Sequence, residues 1–186
     1  MNVNIKRLSA DATTPTYAHS TDACFDLYAA ADVIIEPGET ALVPTDLAFE
    51  IPAGYEMQIR PRSGITLKTH LRVQLGTVDS GYAGEVGVIV DNIAHREYYI
   101  EDGVNDYGEF YVIKRDAYDR ILHTISGKEE LREDEAYLRH TYIIRKGDRI
   151  AQAVIKPVEQ ATFTVVDALE ETERGSDGFG SSGVGK

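Results

Sequence analysis

The chain has 186 residues, 42% of them apolar and 27% charged, a composition that fits one soluble domain able to bury a core without staples. One cysteine, Cys24, excludes an intrachain disulfide framework and a thiolate zinc site, and the five histidines fall at no metalloprotease-like spacing. Nineteen Lys+Arg against 31 Asp+Glu give a net charge of −12 with no basic block, which argues against direct nucleic-acid binding but leaves room for a nucleotide.

The N-terminal MNVNIKRLSADATTP lacks the apolar centre of a signal peptide. The longest apolar run, Val86 to Val90, is far short of the ~18 residues of a membrane span, so the expectation is an intracellular protein without membrane contact. Up to residue 90 the chain punctuates like an all-β protein. Val33-Ile34-Ile35 runs into Glu36-Pro37-Gly38, Ala41-Leu42-Val43 follows, Leu47 to Ile51 ends at Pro52-Ala53-Gly54, and Tyr55 to Arg60 comes next. Proline and glycine between short apolar runs are turn chemistry, and strands spaced this way predict a sandwich or barrel. Glu85 to Val90 and Tyr142 to Lys156 continue the pattern, the second turning at Lys146-Gly147-Asp148.

Residues 95–140 break it, with 12 acidic and seven basic residues and six of the chain's 11 tyrosines. Asp116 has the character of an N-cap, Tyr118/Leu122 and Ile121/Ile125 stand at i,i+4, and Gly127 offers a stop. The pattern predicts a short helix, with a second, weaker one over 128–139. The stretch reads either as a solvated acidic excursion or as a docking surface, since tyrosine is enriched in interface cores. Beyond it, Arg174 to Gly183 is glycine- and serine-rich with a lone Arg and Phe, the composition of a flexible tail.

Four further pieces carry chemistry. In Gly76-Thr77-Val78-Asp79-Ser80-Gly81-Tyr82 a carboxylate and an aromatic ring share a glycine-flanked turn, an arrangement that would present both at a hairpin mouth or be an ordinary Asp-containing turn. Pro61-Arg62-Ser63-Gly64 offers a cation, a hydroxyl and a glycine N–H to a phosphate. Gly147 to Gln152 is a tight turn entering a strand that ends in an amide, and the Arg/Phe/Ser tail completes the set.

Taken in order with Ser20-Thr21-Asp22-Ala23-Cys24-Phe25-Asp26-Leu27, these five motifs resemble the homotrimeric dUTPases, the dUTP diphosphatases. The resemblance implies an all-β, jelly-roll-like fold and hydrolysis of dUTP to dUMP and diphosphate in a homotrimer whose sites each draw on three chains. It matches Asp79 to the general base that deprotonates the water attacking the α-phosphorus, and Tyr82 to the ring packed on the deoxyribose. The backbone from Gly76 to Tyr82 would read uracil. Ser63, Gly64 and Gln152 match phosphate contacts, and Arg62 supports both the phosphates and the surroundings of Asp79. In the tail, Arg174 matches the γ-phosphate clamp, Phe179 with Gly180 the lid over uracil, and Ser181 and Ser182 further phosphate donors. The implied cofactor is Mg2+ held by phosphates and waters, with Asp26 reaching it through water.

The implied division is a β core of residues 1–94 and 141–170, an inserted acidic, Tyr-rich and partly helical subdomain over 95–140, and a lid arm over 171–186. Asp177 and Gln74 depart from the family pattern. The link from Ile93 to Arg145 is much longer than in common members and resembles phage-encoded ones, in which such an insert implies a second role, binding a repressor of a mobile genetic element. That branch places the protein in the cytoplasm of a host cell. A dCTP deaminase-like enzyme and a nucleotide-switched protein-binding module stand as alternatives.

Overall fold

The computed structural model describes residues 1–176. Strands β1 (Asn4–Arg7), β2 (Phe25–Tyr28), β3 (Val33–Ile35), β4 (Thr40–Val43), β5 (Leu47–Glu50) and β6 (Tyr55–Arg60) precede one short helix, α1 (Ser63–Lys68). After it come β7 (Leu71–Val73), β8 (Gly76–Asp79) and β9 (Val88–Asn92). The inserted stretch then contributes β10 (Tyr98–Val104), β11 (Phe110–Asp116), β12 (Tyr118–Asp119), β13 (Ile121–Thr124), β14 (Glu129–Leu131) and β15 (Tyr137–Leu138). Strands β16 (Tyr142–Ile144) and β17 (Arg149–Pro157) complete the fold. It is all-β and jelly-roll-like, and no helix among the described residues is long and apolar enough to cross a membrane.

Three sheets, ordered β2-β17-β6-β8, β4-β9-β7 and β14-β13-β16-β3, enclose the core together with β5 of the β1-β5 pair. Alternation does the sorting. Met57 and Ile59 point inward from β6 and Val88, Val90 and Asn92 from β9, meeting Leu27, Ile35, Val43, Leu47, Leu71 and Ile150. Each such side chain contributes about 1.5–3 kcal/mol on burial. The expected turns are present, with Gly38 at φ +80° after Pro37, a conformation that L side chains rarely adopt. Asn92, 1% exposed, is fully satisfied: its amide donates to the Ile35 and His140 carbonyls (3.0 and 2.9 Å) and its oxygen accepts the Ala94 N–H (3.1 Å). One buried amide thus ties the core to the end of the insert.

The helices expected after Asp116 and over 128–139 are strands instead. Ile121–Thr124 pairs antiparallel with Glu129–Leu131 and parallel with β16, His123 opposite Tyr142 and Thr124 opposite Ile143. A helix this short gains too little from its own hydrogen bonds to compete with a sheet edge that fills both sides of the strand, and Ile121, Thr124 and Ile125 are β-branched. Leu122, fully buried, packs with Tyr137 and with Ile143 of β16. β10 and β11 pair with each other alone, as a seven-pair antiparallel ribbon whose base is closed by Ala117 N–H to the Glu97 carbonyl at 2.8 Å.

Candidate active site

β2, α1 and the start of β17 converge on a cavity of about 750 Å³ lined by Asp26, Arg62, Ser63, Gly64, Arg149 and Gln152, among others. Its chemistry depends on an irregularity. A β-bulge between Arg149 and Ala151 lets Ile150 and Ala151 both turn inward, and Arg149 then reaches Asp26. Asp26, only 7% exposed, lies opposite Gln152 in the ladder. Its carboxylate accepts Arg62 Nε at 3.0 Å and Arg149 Nη1 at 3.4 Å. Arg62 also donates to the Arg149 carbonyl (3.0 Å), and Gln152 to the Pro61 carbonyl (2.9 Å). Both guanidiniums are therefore held by a buried acid before any ligand arrives. Within one chain Arg62 is placed with Asp26, and Asp79 lines a separate cleft.

The turn that feeds β17 is tied in the same way. The Arg145 N–H donates to Asp148 Oδ2 at 2.8 Å. Burial pushes the Asp148 carboxyl above its ordinary value, against the lowering effect of that hydrogen bond. Asp32 accepts the Lys146 N–H and the Arg145 guanidinium, and these hold its carboxyl below the usual range.

A second, smaller cleft of about 320 Å³ carries Gly76, Thr77, Asp79 and Tyr82, with Leu42, Ile59 and Ile89 as its apolar walls. Gly76 sits opposite Ile59 in the β6–β8 ladder, and a Cβ there would lie 3.3 Å from Ile59 Cδ1. Asp79 ends β8, and its carbonyl accepts the Tyr82 N–H at 3.0 Å, so the carboxylate stands exposed at a tight turn. The Tyr82 hydroxyl donates to the Glu85 carbonyl (2.9 Å). Its ring covers Gly84, where a Cβ would sit 2.5 Å from the hydroxyl oxygen. Glu85 pins the loop by accepting the Thr45 and Asp46 N–H groups at 3.2 and 3.0 Å. The two clefts share no lining residue.

Of the tail, Arg174 lies in a turn closed by the Gly175 N–H to the Thr172 carbonyl (3.0 Å) and lines neither cleft; Phe179, Gly180, Ser181, Ser182 and Asp177 fall outside the described residues. Sequence reasoning missed Lys68, Ile125 and Ser126 as lining residues of the larger cavity, and named Asp148 and Arg149 only as part of the turn from Gly147 to Gln152. The signal for Lys68 was its i,i+4 spacing from Gly64 on one helical face. Among the described residues no group of three or more His, Cys, Asp or Glu side chains could chelate a metal. Asp26 faces an arginine with each of its two oxygens, and each oxygen keeps one further acceptor site. The donor set fits a magnesium ion that arrives hydrated on a phosphate chain, with Asp26 the buried carboxylate on that cavity.

Comparison with known proteins bears on the same residues. A dUTPase family model matches residues 10–105 and 136–183, leaving unmatched a stretch that lies within the insert. The deoxyuridine 5'-triphosphate nucleotidohydrolases of Nautilia profundicola and Clostridium tetani are 38% and 35% identical to this chain, covering 98% and 97% of it and 99% and 96% of their own length. A chain of this length is thus not confined to phages. Among solved structures, the dUTPase of Staphylococcus bacteriophage 80alpha with dUpNHpp superposes with a TM-score of 0.84 at 34% identity, covering 98% of this chain and 99% of that one. The dUTPase of S. aureus phage phi11, described with a species-specific insert, gives 0.77 at 32% over 92% and 100%, and a mutant of it coordinates a structural Mg(II) ion. Five motifs in order, a fold shared with phage enzymes and relatives matched end to end agree: the chain belongs to the dUTPase family, the dUTP diphosphatases.

Proposed function

We propose that this protein hydrolyses dUTP in a homotrimer, at sites where the phosphate cavity of one protomer faces the Asp79/Tyr82 cleft of another. The carrying observation is the separation of the two halves within one chain: Arg62, Ser63, Gly64 and Gln152 line one cleft, and Asp79 and Tyr82 line the other. The rim of the smaller cleft also exposes Leu42 (67%) and Ile89 (46%), a cross-strand apolar pair that association with a second copy would cover.

In that arrangement Asp79 takes a proton from water as its oxygen bonds to the α-phosphorus. The bond from that phosphorus to the bridging oxygen breaks, and its electron pair leaves on diphosphate. Proton abstraction by a positioned carboxylate contributes about 10²–10⁴-fold. Tyr82 packs on the deoxyribose where a 2′-hydroxyl would clash. Ser63, Gly64, Gln152 and the paired arginines orient the phosphates, and Arg174, Phe179, Gly180, Ser181 and Ser182 close the site as a lid. A magnesium ion would be held by the nucleotide's phosphates, with Asp26 contacting it through water, and would supply charge neutralisation there. The family model and the named relatives favour this hydrolysis over deamination.

Co-expression tests it. Asp79→Asn and Arg62→Met are each expected to lose about a hundredfold or more in diphosphate release, yet mixed trimers should regain activity, because each site can draw its intact halves from different chains. About a quarter of the sites would be whole. Mixed trimers no more active than either parent would refute the composite site.

A second, regulatory role rests on the β10–β11 ribbon. Two strands alone are marginal in water, yet Ile100, Val104, Phe110 and Val112 are 73%, 54%, 88% and 71% exposed on one face. A description of the phage 80alpha enzyme speaks of control over transfer of virulence genes, and the partner proposed here is a repressor of a mobile genetic element. Excising residues 98–116 and joining Glu97 to Ala117 through a short glycine link should spare dUTP turnover and abolish repressor binding in calorimetric titration. Equal affinity of both forms would overturn the assignment.

A further inference from the structure

The phosphate cavity does not end at the family motifs. Its far wall is the turn between β13 and β14, where Ile125 and Ser126 of the insert line the same space as Asp26 and Ser63. That turn is fixed in place. Ile125 packs against the main core, Gly127 N–H donates to the Thr124 carbonyl at 3.0 Å, and Lys128 N–H to Thr124 Oγ1 at 3.1 Å. Gly127, at φ +81°, runs alongside the end of α1, with its Cβ position 3.9 Å from Lys68 Cβ. Lys68 thus stands between the helix that carries Ser63 and Gly64 and the turn supplied by the insert.

The charge inventory gives this lysine a task. The cavity is lined by three acids, Asp22, Asp26 and Asp148, and three cations, Arg62, Lys68 and Arg149. Both arginines are committed to Asp26, and the Asp22 and Asp148 carboxylates are engaged by the backbone N–H groups of His19 and Arg145. Lys68 makes no ion pair and no side-chain hydrogen bond among the described residues, and it is exposed. A nucleoside triphosphate brings several negative charges into a space whose own charges cancel, and Lys68 is the cation there that loses no partner by turning to it. A lysine on four methylenes is a mobile point charge suited to phosphate.

We propose that Lys68 is a further substrate-binding residue of this enzyme, its ammonium pairing with the outer phosphates of dUTP, and that the Ile125–Ser126 turn of the insert forms the edge of that phosphate subsite. The proposal rests on the reading of the larger cavity as the phosphate half of the active site. It makes the insert part of the enzyme, because Ile125 and Ser126 line the phosphate cavity.

The test compares ligands that share uridine and differ in phosphates. Dissociation constants of dUpNHpp and dUMP are measured by calorimetry for the full-length wild type, Lys68→Met, Lys68→Arg and Ser126→Asp. Methionine keeps the apolar stem and removes the charge, and one charge-assisted contact corresponds to about tenfold in affinity. Lys68→Met is therefore expected to weaken dUpNHpp about tenfold while leaving dUMP within about twofold, with KM for dUTP rising and kcat little changed. Lys68→Arg should restore most of the loss, and Ser126→Asp, a carboxylate on the facing wall, should weaken dUpNHpp selectively. The wild-type slope of affinity against salt should flatten in Lys68→Met. If wild type fails to bind dUpNHpp, the reading of the cavity falls. If it binds and the dUpNHpp/dUMP ratio is the same in Lys68→Met, the lysine proposal alone falls; an unchanged ratio in Ser126→Asp removes the turn from the subsite.

Discussion

The arginine clamp at Asp26 makes a prediction that separates architecture from chemistry. Asp26→Asn keeps the shape of the side chain but removes its charge and turns an amide donor toward a guanidinium that is itself a donor. Breaking a fully buried ion pair costs about 3–5 kcal/mol. Here the carboxylate is 10% exposed, while the Arg62 and Arg149 side chains are 31% and 50% exposed, so solvent recovers part of that and about 1–3 kcal/mol is expected. At about 2–4 °C per kcal/mol for a chain of this size, the melting temperature should fall by about 2–12 °C. Trimer assembly makes melting depend on concentration, so protomer concentration is held fixed. A double-mutant cycle with Arg62→Met isolates the pair. Arg62 also donates to the Arg149 carbonyl at 3.0 Å, but that contact is lost in both backgrounds and cancels. A coupling of about 1 kcal/mol or more is expected, and single-mutant effects that add within about 0.3–0.5 kcal/mol would refute the clamp.

Tyr82→Ala should raise turnover of UTP relative to dUTP in a diphosphate-release assay, since the ring folded over Gly84 is the proposed sugar wall; unchanged selectivity would place that wall elsewhere. Truncation after Glu173 removes the proposed lid and should depress dUTP turnover while leaving thermal melting as in the full chain, whereas full activity would make the arm a plain linker. Asp148 has its folded pKa raised by burial, so its contribution to stability is present below the unfolded pKa and lost as pH rises through the folded one. Asp148→Asn keeps an acceptor for the Arg145 N–H without the buried charge. Its melting temperature relative to wild type should therefore be higher at about pH 7 than at about pH 3.5, and a pH-independent difference would contradict the assignment.

What the sequence disclosed followed the range of the physics. Turns are local. Pro37-Gly38, Lys146-Gly147-Asp148 and the Asp79 to Tyr82 turn were legible because proline and glycine set backbone angles without help from distant residues. The residues between Asp116 and Gly127 were not, because they carry two periodicities at once. Tyr118/Leu122 and Ile121/Ile125 suit a helical face, while Ile121, Leu122, His123 and Thr124 suit a strand, and the choice was made by β16, which lies beyond the end of the insert. Helix α1 failed in the opposite direction. Six residues that include Gly64 and β-branched Ile65 and Thr66 have little helical preference of their own. Thr69 N–H and its hydroxyl both return to the Ile65 carbonyl (3.0 and 2.7 Å) to hold the last turn, and reading the segment as a phosphate loop that stopped at Gly64 hid Lys68.

The division of the site into two clefts has a similar origin. Arg62, Asp26 and Gln152 look remote along the chain and meet through ladder registers: Gln152 opposite Asp26 on one side of β17 and opposite Arg60 on the other. Asp79 belongs to the next ladder out, paired with Glu56 across β8, and so emerges at the other end of the same sheet from the arginines. Regular strands would have kept Arg149 out of this cluster; the bulge at Ile150 turns it toward Asp26. The same geometry changes how the insert should be cut. Removing everything from Ile93 to Arg145 would take out the Leu122–Tyr137–Ile143 cluster, β16 and with it the antiparallel partner of β3, and one wall of the phosphate cavity. A loss of activity after that deletion would then say nothing about docking. The Glu97–Ala117 contact marks where the ribbon detaches from this framework, and only a cut made there separates what the protein binds from what it hydrolyses.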